Sequence, residues 1–174
     1  MKRKLFIIFL TGLTNSGKTT ISNLLFKYFK NIGLKSKNID GDKFRKKIKN
    51  FKFNKAGRIF VGDRKIKLAQ KFRKQGFNVI VSGVAPNRDW RKKNKKIKDF
   101  FEIYLNCSFK ETLKRNTRVN KKKFLNSDKN NIIGLDQPYE KGVSKDLIIN
   151  TDKLNKKQSL IKIVKFLRKK NFIN

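Results

Sequence analysis

The sequence predicts an α/β fold in three layers, a mostly parallel β-sheet with helices packed on both faces. Three observations point there. The runs 5–11, 77–82 and 100–107 are apolar nearly throughout rather than alternating, the pattern of strands buried on both sides. Between them, apolar residues recur every three or four positions, the period of amphipathic helices. Strand and helix patterns also alternate along the chain, and parallel strands need such crossovers.

Residues 5–11 read as the first strand. The basic head Met1-Lys2-Arg3-Lys4 before an apolar run imitates a secretion signal. That run ends at Thr11-Gly12 without a small-residue cleavage site. Ile21, Leu24, Leu25, Tyr28 and Ile32 then share a helical face, and Gly33 stands where a helix stop belongs. A short strand over 36–39 ends at Asp40-Gly41-Asp42, with Arg45 one turn further on a helix. Ile66, Ala69 and Phe72 predict a helix over about 60–75 closed by Gly76. Next come a strand over 77–82, a basic helix over 88–98, a strand over 100–107 and a short helix over 109–115. Residues 116–142 are polar and aperiodic, the character of a mobile lid. A last strand over 146–150 precedes a helix carried by Leu160, Ile163, Val164 and Leu167. No repeat or linker interrupts this order, so residues 1–174 are expected to form one domain.

Composition excludes several chemistries. The 174 residues contain no histidine, which rules out a Ser-His-Asp or Cys-His nucleophile and any His-ligated metal. Cys107 is the one cysteine, so no disulfide forms within the chain, in keeping with a reducing cytoplasm. No run approaches the roughly 20 apolar residues of a membrane span. The net charge of +35, from 47 basic against 12 acidic residues, invites a nucleic-acid reading. The basic residues argue against it. They are mostly lysines spread along the whole chain, in a composition rich in Asn, Ile and Phe and poor in Ala and Pro. No single basic stripe or tail emerges, and no nucleic-acid or membrane partner is expected.

Chemistry concentrates after the first strand. Gly12-Leu13-Thr14-Asn15-Ser16-Gly17-Lys18-Thr19 matches G-x-x-x-x-G-K-[ST] between a strand and a helix. The glycines let the backbone wrap closely, so that successive N–H groups meet phosphate oxygens at a helix N-terminus. Lys18 reaches the β- and γ-phosphates, and the Thr19 hydroxyl can hold Mg²⁺. The chain therefore reads as a nucleoside triphosphate-binding protein of the P-loop type. Later strands end without the carboxylate of a GTPase or motor ATPase. Asp40 and Asp42 stand instead at the end of the second strand, beside the loop at the ligand-binding edge of a parallel sheet. There they can orient or deprotonate a substrate hydroxyl and support Mg²⁺, although an Asp-Gly turn is also a common strand ending. Arg45, Arg58, Arg88 and Arg91 follow loop and strand ends, and Arg115 and Arg118 flank the lid, where a guanidinium can fork onto phosphate.

Five stretches in this order resemble the adenylyl-sulfate kinase family. They are Gly12 to Thr20, Ile39-Asp40-Gly41-Asp42-Lys43-Phe44-Arg45, Val84-Ala85-Pro86-Asn87-Arg88-Asp89-Trp90-Arg91, Phe101 to Cys107, and Gly134-Leu135-Asp136-Gln137-Pro138-Tyr139-Glu140. The resemblance implies transfer of the ATP γ-phosphoryl to the 3′-hydroxyl of adenylyl sulfate with Mg²⁺, by a cytoplasmic enzyme that forms a homodimer. It assigns Gly12 to Thr20 and Arg115 to ATP, Thr19 and Asp40 to Mg²⁺, and Lys18, Asp40 and Asp42 to catalysis. It gives Asp42, Arg45, Arg58 and Arg88 to the acceptor, and has Phe53 stack on its adenine; Phe53 suits a core position equally well. The chain departs from the pattern on the acceptor side. Ala85 replaces a serine that carries a phosphoryl group in the family, and Val61 replaces an asparagine. Asn130 or Lys129 stands near a usual lysine, and Ile132 replaces an aromatic residue. Asn116 to Lys121 also differs from the usual lid. These changes admit another nucleotide-like acceptor, such as a cytidine diphosphate derivative used in surface-polysaccharide decoration. A basic RNA-binding protein with a vestigial loop is the alternative from another class.

Overall fold

A computed structural model describes residues 4–115, 132–134, 137–140 and 145–174. The predicted lid over 116–142 lies largely outside these residues, and Arg118, Lys129 and Asn130 lie outside them entirely. In chain order the elements are β1 (Ile7–Thr11), α1 (Lys18–Asn31), β2 (Ser36–Ile39), α2 (Gly41–Lys47), α3 (Lys55–Lys74), β3 (Asn78–Ser82), α4 (Arg88–Asn94), β4 (Phe100–Asn106), α5 (Phe109–Lys114), β5 (Leu147–Asn150) and α6 (Lys156–Lys169). Boundaries agree with the sequence reading to within a few residues, with two exceptions. Helix α3 starts at Lys55, because Asn54 caps it by accepting from the Gly57 N–H. Helix α4 ends at Asn94 rather than continuing to 98.

The five strands pair in parallel in the order β2-β3-β1-β4-β5. From β1 the chain goes to the edge strand β2, returns to β3 and then crosses to β4 and β5 on the other side, so the crevice at the carboxyl end of β1 lies at a switch point, where parallel sheets bind ligands. Alternate residues of β1 serve opposite faces. Ile8 and Leu10 join Ile21, Leu25 and Phe29 of α1 and Ile163 and Leu167 of α6. Ile7 and Phe9 join Ile66 and Ala69 of α3 and Trp90 of α4. The three-layer architecture follows from this division.

Sequence does not predict Arg91 as a core residue, yet it is 1% exposed. Its guanidinium donates to the carbonyls of Ala85 (2.7 Å), Pro86 (2.6 Å) and Glu140, and lies 3.4 Å from the Glu102 carboxylate on β4. Burial pushes the Glu102 carboxyl up and the Arg91 charge opposes that rise. Arg91 thereby ties the loop after β3 to residues 139–140 and anchors both to the sheet. Arg91→Met should lower unfolding stability by about 3–5 kcal/mol, the scale for stranding a buried charge. Adding Glu102→Met should recover part of the loss, read as a urea midpoint moving back toward wild type.

Candidate active site

Strand β1 delivers the chain to a loop that only certain residues can form. Gly12 has φ 148°, and a Cβ there would sit 2.5 Å from the Leu105 carbonyl oxygen and 2.9 Å from Ser16 Oγ. Asn15 (φ 59°) and Gly17 (φ 95°) add left-handed turns that lead into α1. No side chain caps this helix, so its first N–H groups face the loop. The Ser16 hydroxyl is buried without a hydrogen-bond partner among the described residues. Lys18 folds back to donate to the Leu13 carbonyl. Burial draws its pKa down to about 8, while Asp42 and Asp40 pull the other way. An uncapped helix, a buried hydroxyl and a desolvated ammonium around one glycine cradle suit the phosphates of ATP.

Asp40 connects this loop to the acceptor side. One carboxylate oxygen accepts from the backbone N–H groups of Asp42 and Lys43 (3.1 Å each), capping α2. The other accepts from Thr19 Oγ1 (2.7 Å) and Ser82 Oγ (3.2 Å). Burial alone would raise the Asp40 pKa, but these hydrogen bonds outweigh it and hold the carboxyl below its usual value. Asp40 is thus a saturated anion and organises the site. Asp42, exposed at the start of α2, faces the same cavity of about 480 Å³ as Lys18, Thr19 and Arg115. Because Thr19 donates its proton to Asp40, its oxygen lone pairs remain available to a cation. Thr19 therefore fits Mg²⁺, whereas Asp40, expected as a ligand, has its lone pairs taken and serves by orienting the Thr19 hydroxyl.

The predicted acceptor residues divide. Arg45 (guanidinium carbon 4.6 Å from the ring centre) and Arg58 (5.7 Å) both lie over the Phe53 ring. Phe53 is 38% exposed, so it presents a face rather than filling the core. Arg45 also braces the turn before α3, donating to the carbonyls of Asn50 (3.3 Å) and Lys52 (3.1 Å). Burial lowers the Arg58 pKa to about 10, and neighbouring Arg45 adds to the effect. Arg88 stands apart: its exposed side chain pairs with Asp89, and only its backbone N–H meets the site's surroundings, donating to Glu140 (2.6 Å). Val61 is 2% exposed within the core-facing side of α3, and Ala85 is also buried.

Several site residues escape sequence reasoning. Lys65, on the buried side of α3, is 5% exposed and donates to the Ser82 carbonyl (2.8 Å). A lysine four residues after Val61 and four before Ala69 interrupts an apolar stripe, and that interruption was the available signal. At the other end of the cavity, Arg115 donates to the Thr151 carbonyl and hydroxyl, and Leu154, Asn155 and Ser159 complete the wall. Asn155 and Gln158 form a reciprocal capping box at the start of α6, a pattern readable in the sequence. Tyr139 Oη lies 2.9 Å from Thr11 Oγ1, and a Cβ on Gly134 would meet Leu13 at 3.1 Å. Residues 134 and 139 therefore rest on the phosphate loop.

The adenylylsulphate kinase profile matches residues 4–150. The chain belongs to the adenylylsulphate kinase family. It is 33% identical over 168 residues to a cytidine diphosphoramidate kinase of Campylobacter jejuni, covering 94% of this chain and 96% of that one. It is 32% identical over 150 residues to a probable adenylyl-sulfate kinase of Archaeoglobus fulgidus, covering 85% and 97%. The fold superposes on the Mycobacterium tuberculosis APS kinase in complex with AMPPNP and APS with a TM-score of 0.82. That match has 22% identity and covers 95% of this chain and 99% of that one. The chain is a phosphotransferase of the nucleotide-kinase class. None of the described helices is long and apolar enough to cross a membrane.

Lys65 gives this site a measurable signature. Burial lowers its pKa from 10.5 to about 8, helped by Arg45 and opposed by Asp40 and Asp42. The folded protein therefore releases a proton near pH 8 that the unfolded chain keeps until about pH 10. Stability should rise as pH increases from about 7 to 8.5, by roughly 1 kcal/mol or about 3 °C in Tm for this group. Lys65→Met should flatten that rise in thermal melts.

Proposed function

We propose that the chain transfers the γ-phosphoryl group of ATP to the 3′-hydroxyl of adenylyl sulfate. The carrying observation is the Asp40 carboxylate, whose bonds to Thr19 and Ser82 put Asp42 in the same cavity as the phosphate loop. Beside them, the Arg45–Phe53–Arg58 cluster offers two guanidinium groups and an exposed ring to an anionic nucleotide.

In this reading the loop N–H groups from Gly12 to Thr20 bind the ATP phosphates. Lys18 exchanges the Leu13 carbonyl for a phosphate oxygen, a change that restores its proton affinity. Thr19 would hold Mg²⁺ with its hydroxyl oriented by Asp40, and the ion would supply positive charge to the transferring phosphoryl group. Asp42 accepts the hydrogen bond of the acceptor hydroxyl and orients its oxygen in line with the γ-phosphorus. A bond forms from that oxygen to the γ-phosphorus, the bond to the β–γ bridging oxygen breaks, and ADP departs. The hydroxyl proton passes to Asp42 and then to water. Catalysis of this kind is mainly positioning and charge stabilisation, so a phosphoserine at position 85 is not required. Arg115 closes the nucleotide end, and Arg88 would have to turn from Asp89 to reach the acceptor.

The acceptor half favours a second reading, with cytidine diphosphoramidate in place of adenylyl sulfate. Ala85 and Val61 offer no polar group, and Val61 is buried away from the cavity. Ile132 removes one stacking partner, which disfavours a purine more than a smaller pyrimidine. The Campylobacter jejuni relative is named for that acceptor.

ADP release measured with each acceptor separates the readings. Turnover with adenylyl sulfate alone supports the first and turnover with cytidine diphosphoramidate alone the second. No acceptor-dependent ADP, together with tight salt-sensitive RNA binding, overturns both. Lys18→Ala should abolish transfer. Asp42→Ala should lower kcat by about 10²-fold or more with little change in Tm. Asp40→Ala should lower kcat and also cost about 1–2 kcal/mol of stability through the lost helix cap.

A further inference from the structure

The Lys65 ammonium lies directly behind the acceptor side of the cavity. It donates to the Ser82 carbonyl (2.8 Å), which is its one hydrogen-bond acceptor among the described residues, whereas an ammonium has three protons to give. A Cβ added at Gly41 would come within 3.5 Å of its Nζ. One added at Gly83 would fall well inside van der Waals contact of Nζ, and would otherwise meet only Lys65 Cε, at 3.7 Å. Gly41, Ser82 and Gly83 all line the cavity. Two glycines and the Ser82 backbone therefore separate this cation from the cavity. Burying it is unfavourable unless opposite charge is near, and Asp40 and Asp42 supply part of that compensation. Lys18, Arg115 and Lys156 nevertheless line the cavity with those two carboxylates, and Arg45 and Lys65 act on them from behind its wall. The balance calls for further negative charge from ligands.

We propose that Lys65 is a specificity-determining residue, a fixed cation set behind Gly41 and Gly83 that selects an acceptor carrying a doubly charged phosphate anhydride. Gly83 is the paired requirement, because any side chain there displaces the ammonium. This rests on the nucleotide-acceptor reading above and adds the residue that reads the acceptor's charge. Lys65 is not placed on the reacting atoms. It acts through its field and through the Ser82–Gly83 backbone.

The test is calorimetric binding to ADP-loaded protein, with adenylyl sulfate, cytidine 5′-diphosphate and the uncharged nucleosides adenosine and cytidine as probes. Lys65→Met should weaken the better-bound charged nucleotide by about tenfold or more, the scale of one charge-assisted contact. Affinity for the matching nucleoside and for ADP should hold. Equal loss for nucleotide and nucleoside would make Lys65 a merely structural residue, and no loss for either would remove its role. Gly83→Ala, which also serves if Lys65→Met does not fold, should reproduce the selective loss and lower Tm. In the Lys65→Met background the same alanine should change neither quantity, since methionine ends near the position of Lys65 Cε. An additive second loss would overturn the pairing. Wild-type protein that binds neither charged nucleotide would overturn the proposal as well. Selective binding without phosphoryl transfer would leave it standing and overturn the proposed reaction instead.

Discussion

The Asp40 carboxylate is the constraint on which the site depends. It joins three separate elements: the first turn of α1 through Thr19, the end of β3 through Ser82, and the start of α2 through two backbone N–H groups. A carboxylate with four donors is strongly favoured in its charged form, so it stays an anion and keeps its geometry. The phosphate loop and the acceptor region consequently share one fixed reference point. Asp42, two residues later, inherits its position from that cap while remaining exposed to solvent and ligand.

Charge at the site is unbalanced toward the positive. Lys18 and Lys65 are held where burial lowers their proton affinity, and two arginines crowd Phe53. In the proposed reaction, anionic ligands relieve this crowding, so part of their binding free energy comes from the charge distribution of the protein itself. The diffuse field of the remaining lysines is different in kind. It lies at the surface, is screened within about 8–10 Å at ordinary salt, and acts on association rates more than on geometry.

Most of the architecture was legible because it rests on local rules. Continuous apolar runs marked β1, β3 and β4, and the glycine loop marked the helix that follows it. Asp40 and Asp42 were visible as a pair, but their division of labour was not, because it depends on Ser82 arriving from β3 across 42 residues. The buried place of Arg91 and the part of Lys65 escaped for a related reason. A basic residue on a helix is ordinarily solvated, and only tertiary packing brings Glu102 or the Ser82 carbonyl to it. Phe53 was ambiguous between core and surface until its exposure and its two arginine neighbours were seen. Arg88 illustrates the opposite case, since a motif position did not bring its side chain to the cavity.

The strand order has a consequence for how such an enzyme can change. One end of the cavity is built on the β4–β5 side, from Arg115, Thr151 and Asn155, while Asp42, Ser82 and Gly83, with Lys65 behind them, belong to the β2–β3 side. Mutations on one wing that spare the Asp40–Thr19 contact leave the backbone of the other in place, with β1 as a shared spine. Under the proposed reaction, acceptor preference can therefore drift during descent without a matching change at the phosphate loop. A lineage built on this sheet has a route to new products through a handful of substitutions confined to one wing.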